Sequence, residues 1–245
     1  MQYLASLTIV AIALASAQHS DTEPRQGEGQ SLAVAAAAEF VYDRTWHALN
    51  FFAPANEQFI GISGQMVVPP KPPKSGPEGA PRTYLWPGVQ PQSGVFQNVL
   101  DSFADDWRFA SGFYGDNTDY PWGDGFNTKE GDVLSFNDTK GASAWTAKIS
   151  HTGGPETASN DFPLNDRVFY EAIFAIELLN TTWEFGPLSF SNILITCTGS
   201  DSSWCNNNPQ NPYNTIYSIT GLRAEQNGGN VDCYMDSLVL ERQGP

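Results

Sequence analysis

Apolar residues return at every second position in segment after segment of this chain. Residues 59–68, 83–88, 94–101, 107–114, 132–137, 144–150, 169–179, 187–196, 215–222 and 231–241 read as strands. Turn chemistry separates them at Gly115-Asp-Asn117, Gly123-Asp-Gly125, Gly153-Gly154 and Asn227-Gly-Gly229. The strand at 59–68 stops at Pro69-Pro-Lys-Pro-Pro-Lys-Ser-Gly-Pro77, because proline cannot donate to a ladder. Residues 31–49 carry the run Ala33 to Ala38 and then Phe40, Val41, Tyr42 and Trp46, which suits a helix or an edge strand. No long amphipathic helix and no internal repeat interrupts the series. Many short strands without helical spacers imply an all-β fold, an antiparallel sandwich of two sheets of the jelly-roll kind.

Two of these segments place a polar group inside an apolar run. In 169–179, alternation sends Glu171, Ile173, Ala175, Glu177 and Leu179 to one face and Tyr170, Ala172, Phe174, Ile176 and Leu178 to the other. Glu177 sits among aliphatic neighbours, where desolvation raises a carboxyl pKa. In 86–97, Gln92 stands close to Gly94, which leaves room for a ligand or a second backbone. Glu177 as general base and Gln92 as a neutral oxyanion donor form a minimal hydrolytic pair, provided their side chains approach closely enough to share a water.

The size of the chain, 245 residues with 40% hydrophobic content, allows one large core. Residues 1–17 hold an apolar run followed by Ala15-Ser16-Ala17, the pattern of a cleaved signal peptide, and the run is too short to span a bilayer. Residues 18–32 are polar and read as a flexible segment, which leaves 33–245 as a single β-sandwich domain. A formal net charge of -15 argues against nucleic acid and anionic membranes as partners. The expected product is a secreted, extracellular, acidic monomer. Cys197, Cys205 and Cys233 allow one disulfide and one leftover thiol, and spacing does not choose among the three pairings. Asn137-Asp-Thr139 and Asn180-Thr-Thr182 are glycosylation sequons, expected at surface turns.

Other chemistries find little support. His19, His47 and His151 are scattered and no Cys-x-x-Cys occurs, so neither a metal nor another cofactor is expected. No Gly-x-Ser-x-Gly or phosphate loop is present. Glu171 and Glu177 stand about 20 Å apart along one strand, too far for a glycosidase pair, although Glu184, Asp132 or an acid on a facing strand could partner Glu177. Tyr120 and Trp122 lie among glycines between strands and are candidates to line a cleft or stack on a sugar.

Taken in order, Trp86-Pro-Gly-Val89, Gln92-Ser-Gly-Val95, Gly131-Asp-Val133, Ala175-Ile-Glu177 and Phe185-Gly-Pro-Leu-Ser-Phe190 resemble the motifs of the fungal glutamic peptidases, or eqolisins. The resemblance implies a concanavalin A-like sandwich, a polypeptide substrate, Gln92 and Glu177 as the catalytic pair, and Trp86 as a cleft residue. Gln90 stands where that family has an aspartate, and the segment between Trp86 and Gln92 is shorter than the family's. The alternative is a secreted concanavalin A-like module that binds or degrades an extracellular polysaccharide. N-terminal sequencing of secreted material is expected to find Gln18 as the first residue; an intact Met1 would remove the signal peptide from this picture.

Overall fold

The computed structural model describes residues 44–71, 81–102, 107–115 and 120–242, all within one compact unit, Phe40–Pro245. The signal peptide expected at 1–17, the segment 18–32 and the alanine run lie outside the described residues. Strands dominate: β1 (Arg44–Phe52), β2 (Phe59–Val67), β3 (Arg82–Gln90), β4 (Val95–Asp101), β5 (Trp107–Tyr114), β6 (Gly125–Thr128) and β7 (Val133–Lys140). They continue as β8 (Trp145–His151), β9 (Thr157–Phe162), β10 (Glu171–Leu179), β11 (Leu188–Thr198), β12 (Tyr217–Thr220), β13 (Arg223–Asn227) and β14 (Asn230–Leu240). The one short helix among them is α1 (Ser203–Asn206).

Pairing is antiparallel throughout, and the strands form two sheets. One sheet has six strands in the order β1-β10-β3-β4-β5-β6; the other has eight, β12-β14-β11-β2-β7-β8-β9 with β13 also on β14. The sandwich expected from the strand count is therefore present. Its interior is formed by Leu49, Phe51, Leu85, Val89, Phe96, Phe109, Phe174 and Ile176 from the six-stranded sheet, against Ile62, Met66, Phe136, Trp145, Phe190 and Ile195 from the other. Aromatic rings stitch the two together, as where Phe96 meets Trp145 at 5.7 Å and Phe174 meets Phe190 at 5.0 Å, both edge to face.

Three strands escaped the sequence pattern for identifiable reasons. The β9 segment Thr-Ala-Ser-Asn-Asp-Phe is polar and exposed at alternate positions, since as the last strand of its sheet it borrows its place from β8. The β6 strand is only four residues long and follows directly on the Tyr120 loop, and β13 is polar and pairs off the main path with β14. Cys205 and Cys233 form the disulfide, with Cα atoms 5.6 Å apart, tying α1 to β14. Cys197 is free and buried, and burial pushes its thiol up to about 12, which removes it as a nucleophile. The sequons are not at surface turns: Asn137 is exposed within β7, and Asn180 is buried with φ of 51°.

A polar chain crosses the core between the sheets. Ser111 Oγ donates to Asn98 Oδ1 at 2.6 Å, and Asn98 Nδ2 donates to Asp138 Oδ2 at 2.6 Å, while Asp138 Oδ1 is buried without a partner. Burial pushes the Asp138 carboxyl up to about 8, against the opposing hydrogen bond from Asn98. Its folded pKa lies above its unfolded value of 3.8. Between these values the folded chain holds a proton that the unfolded chain has released. The contribution of Asp138 is therefore intact below about pH 4 and falls as pH rises toward 8, by roughly 1.4 kcal/mol per pH unit for one proton. Urea unfolding at steps between pH 4 and 7 should show stability declining with pH, and Asp138→Asn, which keeps an acceptor for Asn98, should flatten that decline by one proton.

Candidate active site

The outer face of the six-stranded sheet, turned away from the sandwich interior, is unusual in being buried. Ala48, Trp86, Val99, Ile173 and Ala175 form a second apolar cluster there, each no more than 6% exposed, with Trp46, Tyr84 and Val95 packed against it. Register arranges this face in rungs. Asn50 pairs with Ile173, Ile173 with Gly88, Gly88 with Gln97 and Gln97 with Gly112. One rung to one side, Glu171 lies between Phe52 and Gln90. Two rungs to the other side of the Gly88 rung, Glu177 lies between Trp46 and Tyr84, with Asp101 beyond Tyr84.

The structure does not bring Gln92 and Glu177 together. Gln92 is exposed in the turn joining β3 to β4, past the Gln90 end of β3, whereas Glu177 is opposite Tyr84. Six residues of β3 from Tyr84 to Gln90 already span about 20 Å. A hydrolytic centre resting on that pair ends there. Glu177 does have the environment read from its neighbours: desolvation pushes it up to about 7, partly opposed by Arg44, whose Nε is 3.3 Å from Glu177 Oε1. Its cation is thus Arg44, while Arg167, the nearest arginine before β10 in the sequence, donates to Ser93 O and lies over the Phe113 ring. Glu184 and Asp132 do not face Glu177: Glu184 is an exposed residue before β11, and Asp132 sits beside His151 near β7 and β8.

A different carboxylate and amide meet the same chemical requirement. Glu171 and Gln97 are each 7% exposed and point to the same face, on the two strands that flank β3. Two strand spacings of ~4.8 Å and two residues of ~3.3 Å place their Cα atoms roughly 12 Å apart, with both long side chains free to lean over the strand between. What lies between is Gly88. A Cβ there would fall 2.5 Å from Phe96 O and 3.1 Å from Gln97 Cα, so only glycine fits where β3 and β4 approach this closely. Burial pushes Glu171 up to about 7, opposed by the hydrogen bond from Asn50 Nδ2 to its Oε1 at 2.5 Å. Among the described residues no cation pairs with Glu171, and the Gln97 amide makes no side-chain hydrogen bond.

The aromatic candidates divide. Trp86 is in the floor of this face, 4% exposed, edge to face with Trp46 at 6.2 Å and with its Nε1 unpartnered. Trp122 is 39% exposed, and its ring lies on Gly112, the partner of Gln97, so closely that a Cβ at Gly112 would run into it. Gly123 N donates to Ser111 O at 2.9 Å and pins that loop as one wall of the site. Tyr120 turns the other way: its ring meets Phe113 on the core side at 5.9 Å. Together with Trp122, Asn160 and Pro163 it lines a small pocket to which Trp86 does not contribute. The opposite wall comes from residues 207–216, where Gln210 exchanges two backbone hydrogen bonds with Asn50 and Tyr213 lies within electrostatic reach of Glu171. No group of three or more His, Cys, Asp or Glu among the described residues is placed to hold a metal, and no helix there is long and apolar enough to cross a membrane.

Glu171 was visible in the sequence as a second acid on the Glu177 face, and Gln97 as the last residue of the segment containing Gln92. The missed signal was the turn Pro91-Gln-Ser-Gly94, which takes Gln92 out of the ladder and leaves Val95 to Leu100 as the apolar strand carrying an internal glutamine.

No protein-family model matches the sequence, and no curated protein matches it. Among solved structures, the fold is similar to that of scytalido-glutamic peptidase with a transition state analog inhibitor, with a TM-score of 0.50 and 14% identity over 80% of this chain and 100% of that one. The same peptidase with a peptide-based transition state analog gives 0.49 and 15% over the same shares. SCP-B, a member of the eqolisin family of peptidases in complex with the tripeptide Ala-Ile-His, gives 0.46 and 14%, again over 80% of this chain and 100% of that one. The chain thus shares a fold with the glutamic peptidases, the family its motifs resemble.

Gly88→Ala is expected to force β3 from β4 and to shift Gln97 relative to Glu171. Its unfolding midpoint in urea should correspond to a loss of about 1 to 3 kcal/mol, the usual scale for overpacking. A variant as stable as the parent would show that the space over Gly88 is not tightly held.

Proposed function

We propose that this protein is a secreted acid endopeptidase of the glutamic type, in which Glu171 is the general base and Gln97 the oxyanion donor. The observation that carries the reading is the placement of one desolvated carboxyl and one free neutral amide on either side of Gly88, on a buried face with no cation beside them. The fold shared with glutamic peptidases supports it.

In this reading a peptide carbonyl lies over Gly88. Ionised Glu171 takes a proton from a water that attacks the carbonyl carbon, and the Gln97 amide donates to the oxygen as negative charge develops on it. Glu171 then hands the proton to the departing amine, so no second titrating group is needed. The neutral amide suits an acidic medium because it donates at every pH. Trp86 supplies apolar floor and Trp122 a wall beside the oxyanion donor. With the Glu171 carboxyl near 7, kcat/KM rises about tenfold per pH unit through the acid range and levels near neutrality.

The glycan reading falls on other residues. Glu177 and Asp101 flank Tyr84 on one rung, about two strand spacings apart, within the range that an inverting glycosidase could use. Arg44 already neutralises Glu177, which disfavours it.

Hydrolysis of an unstructured polypeptide between pH 3 and 7 tests both. Glu171→Gln should abolish it in a folded protein, and Gln97→Ala should slow turnover by roughly 100-fold or more, the scale for losing one oxyanion donor. Gln92→Ala and Glu177→Gln should retain turnover within a few fold. Loss of activity in Glu177→Gln alone, or release of reducing ends from a polysaccharide, would transfer the chemistry to the other end of the face.

A further inference from the structure

Asn50 occupies the outer face of β1 at the edge of the six-stranded sheet, one rung from Glu171. Its backbone is fixed on both sides. One side is the β10 ladder; the other is an isolated bridge to Gln210, with Asn50 N donating to Gln210 O at 2.9 Å and Gln210 N to Asn50 O at 2.8 Å. An edge strand would ordinarily leave those groups to solvent. Here the 207–216 segment takes them up, and the side chain of Asn50 is presented to β10 from a backbone with little freedom.

Its amide is used on one side only. Nδ2 donates to Glu171 Oε1 at 2.5 Å, while Oδ1 is shielded from solvent and has no partner. A shielded carbonyl without a donor costs stability, so an orientation that leaves Oδ1 empty is maintained by what Nδ2 gains from the carboxylate. An amide has one further property that a hydroxyl or a lysine lacks at this place. Turned by 180°, it would offer Oδ1 to a protonated Glu171 as acceptor, so the same residue can hold the carboxyl with or without its proton.

Resting on the reading of Glu171 as the base, we propose that Asn50 is a positioning residue that holds the Glu171 carboxyl in one orientation through both halves of the proton cycle. Other titratable groups facing Glu171 are few. Tyr213 reaches it from the 207–216 segment and Tyr170 from the start of β10, where Tyr170 also bonds Gln90; Glu177 with Arg44 lies six residues along β10, and that face of β3 carries Tyr84 together with Arg82, whose Nη1 donates to the Tyr84 hydroxyl at 3.3 Å. The tyrosines stay neutral through the acid range, burial raising both. Asn50 is then the group through which the protein lowers the cost of ionising Glu171.

The test reads the Glu171 carboxyl directly, by carbon-13 NMR titration of the full chain, alongside the pH dependence of kcat/KM on a polypeptide. In Asn50→Ala the Glu171 midpoint and the rising limb of kcat/KM should both move up by about one pH unit, giving roughly tenfold less activity at pH 5 with KM little changed. Asn50→Leu, which fills the space without a donor, should give the same shift and serves if the alanine variant is unstable. Asn50→Asp should split the titration into two coupled steps. Unmoved midpoints in folded Asn50→Ala or Asn50→Leu overturn the proposal. If the parent protein hydrolyses no polypeptide, the peptidase reading fails, and the NMR shift alone still decides whether Asn50 controls Glu171.

Discussion

A strand buried on both faces is the constraint from which the rest follows. β10 lies between β1 and β3, with Ala172, Phe174, Ile176 and Leu178 in the sandwich core and Ile173 and Ala175 in the outer apolar cluster. Any carboxylate carried by such a strand is desolvated whether or not it has a role. Glu171 and Glu177 are both pushed to about 7, yet for different company: one faces amides and the other an arginine. Desolvation therefore identifies the strand, and the neighbours across the rungs identify the chemistry.

Two pH effects oppose each other in this molecule. Glu171, Glu177 and Asp138 each hold a proton in the folded state that the unfolded chain gives up in weak acid, so each contributes more to stability at low pH, while Asp132, held below its ordinary value by its hydrogen bonds, acts in the opposite sense. A base with a carboxyl near 7 works better as pH rises. The proposed activity and these three contributions to stability therefore change in opposite directions as pH rises. The core chain Ser111, Asn98 and Asp138 belongs to this balance although it is on the other side of the six-stranded sheet from the site.

Glycines set the outer face as much as aromatics do. Gly88 lets β3 approach the Phe96–Gln97 backbone of β4 closely, and Gly112 lets the Trp122 ring lie against the partner of Gln97. Both act through what they lack. A larger residue at either position would meet backbone or an indole at under 3 Å, so the shape of the site is held by omission on β3 and β5 and by packing on β1 and β10.

Alternation in the sequence was enough to establish a two-sheet β-sandwich, to place Glu171 and Glu177 on one face of one strand, and to show that this face was apolar, because period 2 is a property of each strand alone. The polar strands β9 and β13 carried no such pattern and formed because a neighbouring ladder accepted them. Which amide meets which carboxylate was decided only by the tertiary structure. Choosing Gln92 or Gln97 depends on where the β3 to β4 turn begins, and choosing Glu171 or Glu177 depends on the register of β10 against β3. Register is fixed by packing between strands far apart in the chain, and a shift of one residue would send every side chain to the opposite face.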